Sequence, residues 1–431
     1  MYKNHKKYAL TNCTLLDGTA DMQPLKGVAL HINGDVIEKI AQSGAVKDGY
    51  EAIDMGGCYI MPGLINLHVH LAATGKPRKK PSDQKKLVKL ITSIGLMRKI
   101  GVKMCESYAK TELLSGVTTL RTVGGVADFD TIIRDMAKDG KILAPRIVAS
   151  NMAVSVSGGH MAGSLAYEAK TAEEAAAYVE QIAKDKPDLI KLMITGGVMD
   201  AEVVGEPGVL RMAPELVKAA CDKAHALGMK VAAHVESPEG VRVALENGVD
   251  SIEHGARPDD EIMRLFEEKH AFQVSTISPA LPYALFDRSI SHATYEQQEN
   301  GKVVFDGIIA LAKANLAKGI PVGLGTDTGC PYITHYDMWR ELCYFVKYCG
   351  VTPAFALHSA TQLNAQLAGV GDITGTLEPG KQADIIVCDK NPLDDLTALR
   401  KLHMVIKSGW RIEHPVLKKM SEVERELDKF I

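Results

Sequence analysis

The sequence predicts an α/β protein, a (β/α)8 TIM barrel carrying a small β-sandwich built from its two chain ends. Three observations point there. Apolar runs repeatedly end in a side chain able to hold a metal or move a proton, helical stretches separate those runs, and short β-like runs crowd both termini while the middle alternates strand and helix.

From the amino end, residues 8–58 hold the β-like runs Val28-Ala29-Leu30-His31-Ile32 and Val36-Ile37-Glu38-Lys39-Ile40, and Asn33-Gly34-Asp35 between them suits a tight hairpin. Next comes Met61-Pro62-Gly63-Leu64-Ile65-Asn66-Leu67-His68-Val69-His70, read as the first barrel strand. Residues two apart on a strand share a face, so His68 and His70 project together and can grip one ion. Residues 76–108, rich in lysine and serine and then helix-like, read as a helical cover over the barrel mouth or as a solvated charged surface.

Four later runs repeat the pattern. Asp188-Leu189-Ile190-Lys191-Leu192-Met193-Ile194 carries Lys191 inside a strand; Met229-Lys230-Val231-Ala232-Ala233-His234 and Val249-Asp250-Ser251-Ile252-Glu253-His254 each end in histidine; Pro321-Val322-Gly323-Leu324-Gly325-Thr326-Asp327 ends in aspartate. The stretch 213–225, with apolar residues at helical spacing, typifies the connections. In a barrel the strand ends converge on one mouth, where groups from distant sequence positions meet. Toward the carboxyl end, residues 383–389 and 404–412 are strand-like again, with Gly375-Thr376-Leu377-Glu378-Pro379-Gly380 as a turn. The simplest organisation is a β-sandwich of 1–60 and 370–431 with the barrel of 61–369 inserted between its halves.

Composition narrows the function classes. The 431 residues and 46% apolar content suffice for a barrel core plus a second unit. A net charge of −3 with mixed signs offers no basic face for nucleic acid, so the expected partner is a small molecule, and a homo-oligomer is the expected assembly. The cysteines at 13, 58, 105, 221, 330, 343, 349 and 388 include no C-x-x-C pair, which argues for reduced, packing thiols in a cytoplasm rather than a disulfide framework. Neither an export signal nor a membrane-spanning run is evident, so a soluble cytoplasmic protein is expected.

Taken singly, a histidine at a strand end is ordinarily a satisfied polar group, and a lysine a surface charge. Six such residues in this order, each tied to an apolar run, reverse that reading. With them the chain resembles the amidohydrolase superfamily over almost its whole length. His68 and His70 match after the first barrel strand, Lys191 after the fourth, His234 after the fifth, His254 after the sixth and Asp327 after the eighth. The phrases Ser251-Ile252-Glu253-His254-Gly255, Gly325-Thr326-Asp327 and Gly375-Thr376-Leu377-Glu378-Pro379-Gly380-Lys381-Gln382-Ala383-Asp384 match as well. The most similar branch holds Xaa-Pro and related dipeptidases, imidazolonepropionase-like hydrolases, and amidases that cut ochratoxin or phenylureas.

The resemblance implies two divalent metal ions, zinc being expected. His68, His70 and Asp327 would hold one, His234 and His254 the other, and Lys191 both. An ordinary lysine cannot do this, because its amine is protonated at a reference pKa of about 10.4. In this branch CO2 carboxylates it, giving an anionic carbamate that bridges ions about 3.5–4 Å apart. A bridging hydroxide would then attack an amide carbonyl, with Asp327 as general base and acid. Expected substrates are a dipeptide, an N-acyl amino acid or a related amide; a deaminase, a cyclic-amide or urea hydrolase and a silent binding protein are the alternatives.

His160, in Ser155-Val156-Ser157-Gly158-Gly159-His160, resembles a Gly-Gly-His of the dipeptidases that faces substrate. Many of those relatives have tyrosine two residues after the fifth-strand histidine, where this chain has Glu236. Glu236 is expected to contact a cationic group or an N–H of the substrate, or to face solvent, and the loss of the tyrosine argues against a plain Xaa-Pro dipeptidase. Thr122 stands where relatives often have aspartate. His225, His270, His292, His335 and His358 are assigned surface or packing roles.

Overall fold

A computed structural model of the chain describes residues 6–42, 45–77 and 83–431. Its first lesson concerns the run at 61–70, which is two strands rather than one. Tyr59–Pro62 pairs antiparallel with Ile385–Cys388, whereas Leu64–Val69 pairs parallel with Val117–Thr122 in a different sheet. Gly63 is the joint. A Cβ there would collide with the Thr118 side chain, so only glycine lets the chain pass so close while it changes sheets.

Two parallel ladders form the α/β body. Leu64–Val69, Val117–Thr122 and Arg146–Val148 make the shorter one. The longer runs in the order Ala166–Ala169, Ala153–Val156, Leu189–Met193, Lys230–Val235, Ser251–His254, Phe272–Ser275, Val322–Leu324. Helices lie between most successive strands, as at Pro214–Ala226, where proline occupies the first turn and Leu216, Val217, Ala220, Cys221 and Ala224 form the buried stripe. Hydrogen bonds tie the ladders together where the candidate residues lie. Asp327 N–H donates to the His68 carbonyl at 2.9 Å and His70 N–H to the Thr328 carbonyl at 3.1 Å, while Asn364 Nδ2 bridges the carbonyls of Ile65 (2.7 Å) and Leu324 (2.9 Å). On the far side, Asp188 N–H reaches the Ala149 carbonyl at 2.7 Å.

Strands from both chain ends share a third sheet, ordered Trp410–Glu413, Met404–Lys407, Ile385–Cys388, Tyr59–Pro62, Lys7–Leu15, Leu25–Asn33, Val36–Ala41, with Glu51–Asp54 also on Lys7–Leu15. The expected hairpin is present, Asn33 opposite Val36 with Gly34 at φ 64°. This sheet has an apolar cluster of its own, including Leu10, Ile32, Ile60, Ile385 and Ile406. Buried Asp384 joins it to the shorter ladder, accepting from Lys407 Nζ at 2.8 Å and Arg146 Nη1 at 2.8 Å. The last helix, Ser421–Leu427, leaves the sheet. Val423 and Leu427 enter the large core cluster with Trp339, and buried Arg340 pairs with Asp337, Glu424 and Asp428 at 3.0, 3.0 and 2.7 Å.

Of the expected cover at 76–108, residues 78–82 lie outside the described ones. The rest forms Gln84–Ser93 and the start of Gly95–Leu114. The longer helix buries Gly101, Cys105, Ala109 and Leu113, and Tyr108 stacks on His335 at 4.5 Å. All the cysteines are free and most are buried, as packing thiols would be. Among the described residues no helix is long and apolar enough to cross a membrane.

Candidate metal centre

Strand alternation selects the side chains that meet between the ladders. Ile190, Leu192, Val231, Ala233, Val235 and Ile252 pack together in one apolar cluster, so Lys191, His234 and Glu253 face the opposite way. His254 would by the same rule follow Ile252. A left-handed backbone, φ 64°, ends the alternation there and leaves both Glu253 and His254 beside His68. Asp327 is left-handed too, at φ 53°, and its Oδ1 lies 3.0 Å from His70 Nε2 and 3.5 Å from His68 Nε2.

Two groups of donor atoms result, each within 4.8 Å: His68, His254 and Asp327, and His234, Glu236 and His254. His254 belongs to both. Hydrogen bonds fix which nitrogen each imidazole offers. His70 Nδ1–H donates to the Gly124 carbonyl at 2.7 Å and His234 Nε2–H to the Gly196 carbonyl at 3.1 Å, since a carbonyl can only accept. His68 Nδ1 meets the Glu253 carboxylate at 2.8 Å, and His254 Nδ1 meets Thr276 Oγ1 at 2.7 Å. His68 and His70 thereby keep Nε2 toward Asp327.

Burial holds His234 and His254 well below the ordinary imidazole value and His68 at about 4, the neutral form that offers a lone pair. Asp327 pays a burial penalty too, but His68 and His70 keep its carboxyl well below the usual range. Lys191 is fully buried, and its Nζ has no hydrogen-bond partner among the described residues. Burial brings this amine down to about 8 against the pull of Glu253 and Asp327. An unpartnered amine among imidazoles and a carboxylate fits a bridging group made on that nitrogen, and the donor set fits divalent zinc.

The substrate-side expectations fall close by. His160 stacks on His234, ring centroids 4.2 Å apart and nearly parallel, and pairs through Nδ1 with Asp200. Glu236 Oε2 accepts from Val198 N–H at 3.1 Å, and burial pushes its carboxyl up to about 8, with Asp327 adding to the rise. Thr122 accepts from Ser150 N–H at 3.1 Å. The remaining histidines take packing and surface places: His335 is buried against Glu112, His225 pairs with Asp250, and His270 and His292 end helices in left-handed conformation.

Sequence reasoning missed the support beneath this cluster. Arg121 donates Nε to the Leu67 carbonyl at 2.7 Å, Nη1 to Ser251 Oγ at 3.2 Å and Nη2 to Glu253 Oε1 at 2.7 Å. Glu253 would rather be neutral when buried, yet Arg121 and His68 hold it ionised, so it can keep the His68 proton on Nδ1. A signal was available, since charged residues inside otherwise apolar strands are almost never buried unpaired.

Residues 59–411 match the family model described as amidohydrolase family. The chain belongs to that family. Among amidohydrolases, it is 25% identical over 421 residues to the ochratoxinase of Aspergillus niger, an alignment covering 88% of this chain and 81% of that one. A Bifidobacterium longum structure provisionally described as a prolidase is 35% identical, covers 99% of both chains and superposes with a TM-score of 0.87. A Xaa-Pro dipeptidase with methionine bound in its active site is 29% identical, with a TM-score of 0.82 over 95% of this chain and 100% of that one.

Proposed function

We propose that this amidohydrolase uses two zinc ions to hydrolyse an amide C–N bond of a small substrate, a dipeptide or N-acyl amino acid, in the cytoplasm and as a homo-oligomer. The observation that carries the proposal is the buried Lys191 Nζ, which has no hydrogen-bond partner among the described residues and lies with His68, His70, His234, His254 and Asp327. In this reading the two parallel ladders close as one (β/α)8 barrel over 61–369, and the sheet of 1–60 and 370–431 is a separate β-sandwich unit. The ochratoxinase and dipeptidase relatives support C–N bond hydrolysis, and their spread of substrates keeps the class broad.

His68, His70, His234, His254, Asp327 and a carboxylated Lys191 would hold the metal pair. Bound there, the ions supply a Lewis acid for the carbonyl oxygen and an ionised water as nucleophile. Asp327, kept as a carboxylate by its histidines, takes the water's proton and delivers it to the departing amine nitrogen. Glu253 and Arg121 hold the His68 ring in place, and Thr276 does the same for His254. Glu236 lies beside His234 with its carboxyl pushed up by its surroundings, a place from which it can contact the substrate, and His160 lines the approach beside His234.

The test is a screen of dipeptides, N-acyl amino acids, lactams and ureas with zinc- and manganese-loaded enzyme. Turnover of the first two classes is expected. Ammonia release from an aminopurine or aminopyrimidine alone would replace this reading with a deaminase.

A further inference from the structure

A second set of metal-competent side chains lies far from the barrel residues, at one end of the terminal sheet. In that sheet Cys388 is opposite Tyr59, Val387 opposite Met404, and Met404 opposite Glu413. Cys58, Asp389, His403 and His414 each lie one residue beyond such a rung, so four neighbouring chain segments deliver them to the same sheet end. The Cys58 thiol is buried, with Sγ 3.7 Å from Asp389 Oδ1. His403 Nδ1 lies 2.9 Å from the same oxygen, and one donor atom from each of the three falls within 4.8 Å of the others. His414, left-handed at φ 45°, donates its N–H to the His403 carbonyl at 2.8 Å and sets its ring 4.8 Å from the His403 ring. Asp389, His403 and His414 line a surface cavity with Lys401, Leu402 and Val416.

We propose that Cys58, Asp389, His403 and His414 form a structural zinc site that fastens the amino-terminal segment to the carboxyl-terminal strands. A surface ion pair between His403 and Asp389 would account for two of the four residues and contributes little. It leaves unexplained why a buried thiol from residue 58 shares the Asp389 oxygen with His403 and why a second imidazole, His414, stands against the His403 ring. Thiolate with imidazole is a donor set that selects zinc over magnesium or calcium. With bonds of about 2.3 Å to sulfur and about 2.0 Å to nitrogen or oxygen, tetrahedral neighbours stand roughly 3.3–3.5 Å apart, so the observed 3.7 and 2.9 Å separations need shifts of only a few tenths of an ångström. On binding, the Cys58 S–H proton leaves to solvent and the thiolate becomes the ligand. Lys401, on the cavity rim, opposes the ion, and its exposed chain can swing into solvent.

Cobalt(II) loading of the metal-stripped full-length protein tests this, because a thiolate ligand gives a charge-transfer band that imidazole and carboxylate do not. Cys330 needs a control, since its Sγ lies 3.6 Å from Asp327 Oδ2 in the barrel cluster. The band is expected in the wild type and in Cys330→Ser, and lost in Cys58→Ser, with one equivalent of zinc per chain lost and turnover kept. Should Cys58→Ser fail to fold, His403→Gln, at a half-exposed position, must lose the same equivalent. Absence of the band from the wild type, its survival in Cys58→Ser, its loss in Cys330→Ser, or full zinc content in His403→Gln would overturn the site.

Discussion

Two lysines drawn out of solvent, Lys191 fully buried and Lys407 with 11% of its side chain exposed, differ in how they are partnered. Burial lowers the amines of Lys191 and Lys407 alike, each to about 8. Lys407 meets both oxygens of Asp384, at 2.8 and 3.0 Å, whereas Lys191 Nζ has no hydrogen-bond partner among the described residues although Glu253 and Asp327 act on it through space. Burial opposes the charge on both amines, and only Lys407 answers it with hydrogen bonds. A buried amine left without a hydrogen bond is costly, and that cost is what the proposed bridging role of Lys191 would explain.

The sharpest way to break the contrast is to remove each lysine. Lys191→Ala should cut turnover by about 10³-fold, the scale of a group that stabilises charge in the reaction, and lower the metal content while leaving the fold intact. Comparable turnover in that variant would make Lys191 no different from Lys407. Glu253→Gln should weaken metal binding by roughly 10- to 100-fold, read by chelator competition, because His68 loses the carboxylate that fixes its proton on Nδ1. Lys407→Ala should leave turnover per folded molecule unchanged and cost about 3 kcal/mol in denaturant unfolding, as Asp384 loses a buried partner and retains only Arg146 and the Ser408 N–H.

The smallest effect sharpens the same comparison through pH. Lys407 and Arg146 hold the Asp384 carboxyl below its ordinary 3.8, outweighing burial. A depressed carboxylate stabilises the fold fully above its unfolded value and loses that contribution as pH falls toward the folded one. Stability measured below about pH 4 should therefore fall more steeply in the wild type than in Asp384→Asn; parallel curves would refute the assignment.

Much of this was legible because strand alternation and apolar runs are local signals. His68, His70, Lys191, His234, His254 and Asp327 were each readable from the run that carries them, and the structure brings them to one place. Gly63 was not read as a break, since the collision that demands glycine comes from Thr118, distant in sequence. Arg121 and Glu253 each stand out as a charge in an apolar strand, but that they pair with each other becomes visible only when the strands lie in one fold. The departure of Ser421–Leu427 from the terminal sheet depends on Arg340, whose partners lie some 80 residues further along the chain, at Glu424 and Asp428. The left-handed turn at His254 was hidden for a similar reason: nothing in a Glu-His-Gly sequence states that the alternation ends one residue early.

The most direct test labels the metal-loaded enzyme with 13CO2 and records its carbon NMR spectrum. A carbamate resonance in active wild type, absent from Lys191→Ala and accompanied by two ions per chain, is the expected result. An active enzyme with no carbamate signal, Lys191 remaining a free amine, would contradict the account at its centre.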